Sequence, residues 1–383
     1  MVELEAQIAR FPGVFREHVR RCAAISDKIG ELAFTFPLLL HALATEYGPQ
    51  EGRLAALELV ELGRPLAEIA FAIGLPLCLR RLPPEACSDR FAWARCSPHL
   101  SRSLANHLPT SPSAVPTWLS AVLYAVRACD ETFAGWVAKQ QVLHEGTSLD
   151  PRNLLPLALF AWHSQQEHVP LRLLAFAPWT PRVSYRTAVF ETKHWINRVK
   201  LFVYFADRPI ADTWLDGGSA YGFEFVPLTT AEHVINERLA MRNCVDGYAE
   251  KLAFNRCRLF SVRCLGERIA LIEIVPGQHD PCIPQIAQLK GPQNSEVSSE
   301  VRRAAGIWLR RQRHRRIPEQ QPPSHEAASL KLQQMLAPYW GAMAERGTMD
   351  RAKPLVALNQ VDDCLVQLAY AGGLSGWPFA RRA

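Results

Sequence analysis

The segment ERLAMRNCVDGYAEKL, residues 237–252, holds a cysteine placed just before a predicted helix start. A thiol at that position lies near free backbone N–H groups and the positive end of the helix dipole, which favours the reactive thiolate. Arg242 adds a neighbouring positive charge, and His233 is a candidate general base that Glu273 could orient. The sequence therefore predicts a candidate catalytic group of Cys244, His233 and Glu273.

A second set of polar residues lies in or beside the strands predicted after this segment. The candidate pocket residues are Tyr248, Ser261, Arg263, Gln288 and Asn294. The amides of Gln288 and Asn294 could serve as oxyanion donors or contact a nucleobase edge. Glu273 interrupts the apolar run ALIEIV, so its carboxylate must point out of the sheet or be paired. The alternative is that Cys244 is a core thiol and that the polar residues form a cluster without catalysis.

The cysteines give little support for a metal centre. The chain has ten of them, without a CxxC pair, scattered over a long sequence as in a reduced cytoplasmic protein. The nearest candidate ligands are Cys244, Cys257, Cys264, Cys282 and His279, whose spacings are not those of a zinc ribbon or finger. We therefore predict no metal and no cofactor.

The strongest sign of a partner is an arginine-rich helix predicted over residues 298–316, SSEVRRAAGIWLRRQRHRR. Its arginines are Arg302, Arg303, Arg310, Arg311, Arg313, Arg315 and Arg316. Arginine contacts to phosphates would give sequence-independent, salt-dependent binding of DNA or RNA. The alternatives are a solvated face packed through Trp308, a helix on a membrane surface, and a dock for an acidic partner.

Composition limits the class of protein. The chain has 383 residues, enough for two or three domains. Hydrophobic residues make up 48% and charged residues 21%, which excludes a disordered chain. The net charge of +6 favours an acidic partner only weakly. We expect no secretory signal in MVELEAQIARFPG and no membrane span, because no run of 18 apolar residues occurs, and we predict a cytoplasmic location.

The elements that must position these residues form an α+β chain, mostly helical, with a small antiparallel sheet arranged as a hairpin and meander. Apolar residues recur at helical spacing through most of the sequence, whereas RCRLFSVRCL, ERIALIEIV and CIPQIAQLKG read as strands. The predicted regions are a helical N-terminal region (1–150), a helical connection (151–215), an α+β core (216–296), and a basic helix with C-terminal helices (297–383).

A helix-turn-helix is a further alternative within residues 64–86, RPLAEIAFAIGLPLCLRRLPPEA. A DNA-binding interpretation would place Arg80 and Arg81 on the recognition helix. Prolines at positions 76, 83 and 84 leave little room for such a helix, so a plain pair of helices is favoured.

The region around residues 237–294 resembles the PcfJ-like proteins. The matching residues are Glu237, Met241, Cys244, Val245, Tyr248, Ser261, Arg263, Glu273, Gln288, Gly291 and Asn294. The match covers about 80 residues, and its order of elements is more specific than any single motif. Asn243 stands where that family commonly has a histidine, which argues against chemistry between adjacent Cys and His residues.

The resemblance implies a bacterial protein associated with conjugative plasmids and mobile genetic elements, without naming a reaction. With the arginine-rich helix, it favours an accessory protein that associates with nucleic acid or with other mobile-element proteins. An enzyme built on Cys244 and a non-catalytic interaction protein are the alternatives.

Overall fold

The computed structural model describes residues 2–46, 49–75, 77–87, 97–143, 151–207, 209–210, 214–312, 317, 324–346 and 358–371. The α-helices are α1 (Val2–Ile8), α2 (Arg16–Ala23), α3 (Asp27–Thr35), α4 (Pro37–Ala44), α5 (Gln50–Glu61), α6 (Leu66–Ala72), α7 (Pro98–Asn106), α8 (Val115–Ala128), α9 (Glu131–Leu143), α10 (Leu155–His163), α11 (Tyr185–Phe205), α12 (Ala231–Met241), α13 (Ala249–Ala253), α14 (Ser299–Arg311), α15 (His325–Glu345) and α16 (Leu358–Ala371). Several begin at a hydroxyl side chain that accepts a backbone N–H, as Ser184 does for α11 and Ser298 for α14.

The strands are β1 (Gly218–Ala220), β2 (Phe223–Pro227), β3 (Arg258–Cys264), β4 (Glu267–Pro276) and β5 (Pro284–Lys290). They form one antiparallel sheet in chain order. Two-residue turns with positive φ at both positions, Tyr221-Gly222 and Leu265-Gly266, connect β1 to β2 and β3 to β4. Such turns match the twist of paired strands. The predicted α+β class, with a small antiparallel sheet in a mostly helical chain, is confirmed.

The two faces of the sheet pack against different helices. Phe260, Val262 and Ile272 lie on one face, in a core shared with Trp308 of α14. Leu259 lies on the other face, in the large helical core. This alternation follows from the two-residue period of a strand. It places α14 on one side of the sheet and α12 and α13 on the other, with α11 behind them.

The large helical core runs through regions that the sequence analysis separated. Buried residues of the first 150 positions share it with α10, α11 and the closing helices α15 and α16. The basic helix α14 packs instead on the sheet of the α+β region. The four-region division stays a prediction.

The segment considered as a helix-turn-helix has no second α-helix. After α6, residues Leu77–Arg81 and Pro84–Ala86 form short 3₁₀ turns. Prolines lack the N–H that helix propagation requires, so the chain turns instead of extending. The DNA-reading alternative for Arg80 and Arg81 was wrong in its geometry.

None of the helices in the described ranges is both long enough and apolar enough to span a lipid bilayer.

Candidate functional site

Cys244 lies at a break between helices. Helix α12 ends at Met241, Arg242 adopts a left-handed conformation with φ 49°, and Cys244 precedes a 3₁₀ turn at Val245–Tyr248 that leads into α13. Its side chain is exposed. The helix start predicted after Cys244 is therefore a short 3₁₀ turn, and the core-thiol alternative was wrong.

The amide of Asn294 reaches this thiol. Its Nδ2 donates to Sγ of Cys244 over 3.8 Å. Asn294 belongs to the turn Pro292–Asn294, and both it and Gln293 have positive φ angles, which are unusual for residues other than glycine. Two segments 50 residues apart thus meet at Cys244.

Glu273 is the buried carboxylate that the strand pattern predicted would need a partner, and it has two. Its side chain accepts a hydrogen bond from Oη of Tyr248 at 3.0 Å and one from Nζ of Lys251 at 2.9 Å. Burial, reinforced by the Glu273 charge, raises the pKa of the Tyr248 phenol, so the phenol stays protonated and donates. The pairing satisfies a charge that would otherwise destabilise the strand.

Tyr248 hydrogen-bonds to the carboxylate from the 3₁₀ turn that follows Cys244. Cys244 lies within electrostatic range of the Tyr248 phenol, since a charge on its thiol would also raise the pKa of that phenol. Gln288 lies directly opposite Glu273 across β4 and β5 and is exposed. Directly opposed residues share a face of the sheet, so Gln288 borders the same region.

His233 lies elsewhere. It occupies the first turn of α12, where its Nδ1 lies 3.4 Å from the backbone N and from Oγ1 of Thr229. From there to the end of the helix at Met241 the axial rise is about 12 Å, and Cys244 comes after that end. The predicted role of His233 as the base for Cys244 was therefore wrong, because the helix holds the two at opposite ends.

Ser261 and Arg263 belong to a different cluster, around the buried carboxylate of Glu237. Arg268 donates to Glu237 through Nε at 2.8 Å, and Ser261 lies beside the carboxylate without meeting hydrogen-bond geometry. Burial raises the pKa of Glu237, and the nearby Ser261 and Arg268 oppose that rise. Arg263 donates weakly to Ser261 at 3.4 Å. These two predicted pocket residues therefore stabilise the packing of α12 on the sheet.

Sequence reasoning missed a third polar cluster, centred on the fully buried Asp246. His194 Nδ1 lies 2.8 Å from its carboxylate, Asn197 donates at 3.4 Å, and Arg238 Nε lies 3.5 Å away. His194 and Asn197 face Asp246 from α11, so their grouping depends on tertiary packing. A sequence signal for this cluster is the position of Asp246, two residues after Cys244.

The predicted arginine-rich helix is observed as α14. Its apolar stripe is buried, whereas Arg302, Arg303, Arg310 and Arg311 are exposed. Arg302 pairs with Glu296, which also binds Lys290, and these contacts lower the pKa of Glu296. Arg313, Arg315 and Arg316 lie outside the described residues.

Within the ranges that the structure describes, no three His, Cys, Asp or Glu side chains are grouped so that they could hold a metal ion. Comparison with protein-family models, curated proteins and solved structures finds no match. The resemblance to the PcfJ-like proteins therefore stays a prediction.

Proposed function

We propose that this protein is a cytoplasmic, nucleic-acid-associated accessory protein of a mobile genetic element, of the PcfJ-like kind, with α14 as its phosphate-binding surface. The observation that carries the proposal is the division of α14 into an anchored face and an arginine face. Trp308 is 2% exposed, whereas the four described arginines of the helix face solvent. Phosphate contacts from such arginines are the dominant source of sequence-independent affinity.

The packing of Trp308 holds α14 against the sheet and so fixes the position of the helix that bears the arginines. The Trp308 ring stacks on Phe225 with centroids 4.6 Å apart and packs against Phe260 at 4.9 Å. Side chains on a held helix lose less entropy on binding than those on a mobile tail. Eight residues separate Arg302 from Arg310, an axial distance of about 12 Å, so the arginine pairs can reach separate phosphates.

Glu296 divides the arginines into two groups. It neutralises part of the charge of Arg302, while Arg303, Arg310 and Arg311 remain exposed. We therefore assign the largest share of phosphate binding among the described residues to these three. Arg313, Arg315 and Arg316 lie outside the described residues and enter the proposal through their sequence alone.

The test is fluorescence anisotropy of the full chain with labelled duplex DNA, single-stranded DNA and RNA, between about 50 mM and 200 mM salt. Replacing Arg303, Arg310 and Arg311 together by Gln should weaken binding to all three and lower the salt slope by about 0.9 per lost duplex contact. A matched triple substitution of the exposed Arg21, Arg182 and Arg186 is the control. Absence of binding at low salt, or equal losses in both triple variants, would refute the proposal.

A cysteine enzyme is the second candidate, favoured by the amide donor of Asn294 beside the exposed thiol. Cys244 would act as nucleophile and Asn294 as a donor to a developing oxyanion. Tyr248 and Glu273 would form the polar wall of the site. Alkylation rates from pH 6 to 10, with Cys244→Ser to identify the Cys244 signal, test for activation. An ordinary alkaline profile would favour a non-catalytic protein that contacts other mobile-element proteins.

A further inference from the structure

Arg198, in the middle of α11, has an unusual side chain for a buried position. It is 1% exposed, yet among the described residues neither Nη1 nor Nη2 has a hydrogen-bond acceptor. Its Nε donates to the carbonyl of Leu174 at 2.7 Å. The ring of Phe176 covers the guanidinium, with Cζ 4.0 Å from the ring centroid. Within the part of the chain that the structure describes, four N–H groups of a buried cation are therefore left without a partner.

A second guanidinium nearby is also under-satisfied. Arg238, on α12, has a buried Nε that lies 3.5 Å from Asp246 and makes no hydrogen bond to any described residue. Asp246 already has His194 at 2.8 Å and Asn197 at 3.4 Å. Its carboxylate is thus shared among several donors and leaves both arginines short of an acceptor.

The charged groups around Arg198 do not supply the missing hydrogen-bond acceptors. Asp246 and Glu191 attract the guanidinium, whereas Arg238 repels it. Burial lowers the pKa of Arg198 to about 10, so the group is still a cation at neutral pH. Lys193 adds another positive charge within range of Asp246. The cluster is rich in donors and cations and poor in acceptors.

Buried donors without partners destabilise the folded protein unless a bound group supplies acceptors for them. Each buried donor without a partner costs on the order of 1–3 kcal/mol, and folded proteins seldom leave such groups unpaired. The flat fork of a guanidinium fits two oxygens of a phosphate or carboxylate better than it fits a single acceptor. An oxyanion at Arg198 would supply what Asp246 cannot.

We propose that Arg198 and Arg238 form a binding site for the phosphate group of a small phosphate monoester, with Phe176 as a ring that moves aside to admit it. The surrounding surface suits the rest of such a ligand. Leu173, Phe176 and Phe190 are 81%, 46% and 39% exposed, large values for apolar side chains beside a cationic cluster. The rings of Phe176 and Phe190, which with Leu173 form the apolar rim of the proposed site, can stack on a base or another flat group. The site lies on α11 and α12, so it does not depend on the proposed role of α14.

The experiment is isothermal titration calorimetry of the full chain with inorganic phosphate and, separately, with a nucleoside 5′-monophosphate, both at constant ionic strength. We expect saturable binding of both, with the monophosphate tighter because it also uses the apolar rim. Equal affinity would identify free phosphate as the ligand and overturn the monoester assignment. Absence of saturable binding of either by the folded wild-type chain would overturn the site itself.

Variants locate the site. Arg198→Lys keeps the charge and loses the fork, so phosphate affinity should fall about tenfold or more, the loss expected for one good charge-assisted hydrogen bond. Arg186→Gln, at an exposed position of the same helix, should bind as the wild type does. Equal affinity in the wild type and Arg198→Lys, or equal weakening in Arg186→Gln, would contradict the proposal. If Arg198→Lys does not fold, Arg238→Lys is titrated in its place, with the same expected weakening and the same refuting result.

Discussion

His163, at the end of α10, should make the protein sensitive to acid. Its side chain is fully buried, and neither ring nitrogen has a hydrogen-bond partner among the residues that the structure describes. Aromatic rings surround it, with centroids 4.8 Å away for Trp162, 5.5 Å for Trp195 and 6.1 Å for Tyr339. A charged imidazolium in such a place would lose its hydration without gaining a partner.

The loss of stability in acid can be calculated from the lowered pKa of His163. Burial lowers the pKa of His163 from 6.5 to about 3, so the folded protein keeps this histidine neutral while the unfolded chain protonates it. The stabilising contribution is complete above pH 6.5 and is lost as the pH falls toward about 3. At pH 5 the unfolded chain favours the protonated form by about 30 to 1, which lowers the free energy of unfolding by about 2 kcal/mol relative to neutral pH.

Urea denaturation followed by tryptophan fluorescence, at pH 7.5 and pH 5, tests this with the wild type and His163→Phe. Any strain from the slightly larger ring is independent of pH, and the other histidines titrate in both proteins. The wild type should therefore lose about 2 kcal/mol more than the variant between the two conditions. His168→Phe, at an exposed position five residues later, is the control for the lost histidine. Parallel losses in wild type and His163→Phe would refute the reasoning.

Three further substitutions test the packing and the polar clusters. Trp308→Ala should lower the free energy of unfolding by about 3–5 kcal/mol, because its ring fills the core between α14 and the sheet; a chemical denaturation cost below 1 kcal/mol would contradict this. Tyr248→Phe should cost about 1–3 kcal/mol, since it removes a donor from the buried Glu273, and an unchanged urea midpoint would count against that bond. Asp246→Asn should cost about 3–5 kcal/mol by removing the buried carboxylate from Arg238 and His194, and thermal unfolding close to that of the wild type would be the opposing result.

The strands could be predicted because the sequence features that define a strand lie within the strand itself and in the turns beside it. Alternating apolar residues and two-residue turn signals set β3 and β4 without reference to the rest of the chain. The same logic extended to Glu273, since a carboxylate in a buried strand needs a partner wherever the strand lies. The identity of the partners, Tyr248 and Lys251, required the fold, because they come from the 3₁₀ turn and α13, more than 20 residues earlier.

The wrong prediction and the missed cluster both concern which side chains meet in space, and a short stretch of sequence does not contain that information. His233 was predicted to act on Cys244 because the two are near in sequence. However, His233 lies in the first turn of α12 and Cys244 lies beyond the last, so the length of the helix separates them. The opposite holds for His194 and Asp246, which are 52 positions apart and 2.8 Å apart in space. Sequence patterns report the period of an element and its ends, whereas the meeting of two elements depends on how their faces pack.

The sheet explains why the protein can carry two unrelated surfaces. On β3, Phe260 and Val262 point to α14 and position the arginine face, while Leu259 belongs to the core shared with the opposite helices. A one-residue slip of β3 would exchange the two sets, so its register keeps Phe260 against Trp308. The two surfaces share a scaffold but no side chains. Replacing Arg303, Arg310 and Arg311 should therefore leave the environment of Cys244 unchanged, and an altered alkylation rate of Cys244 in that variant would mean that the sheet itself had been disturbed.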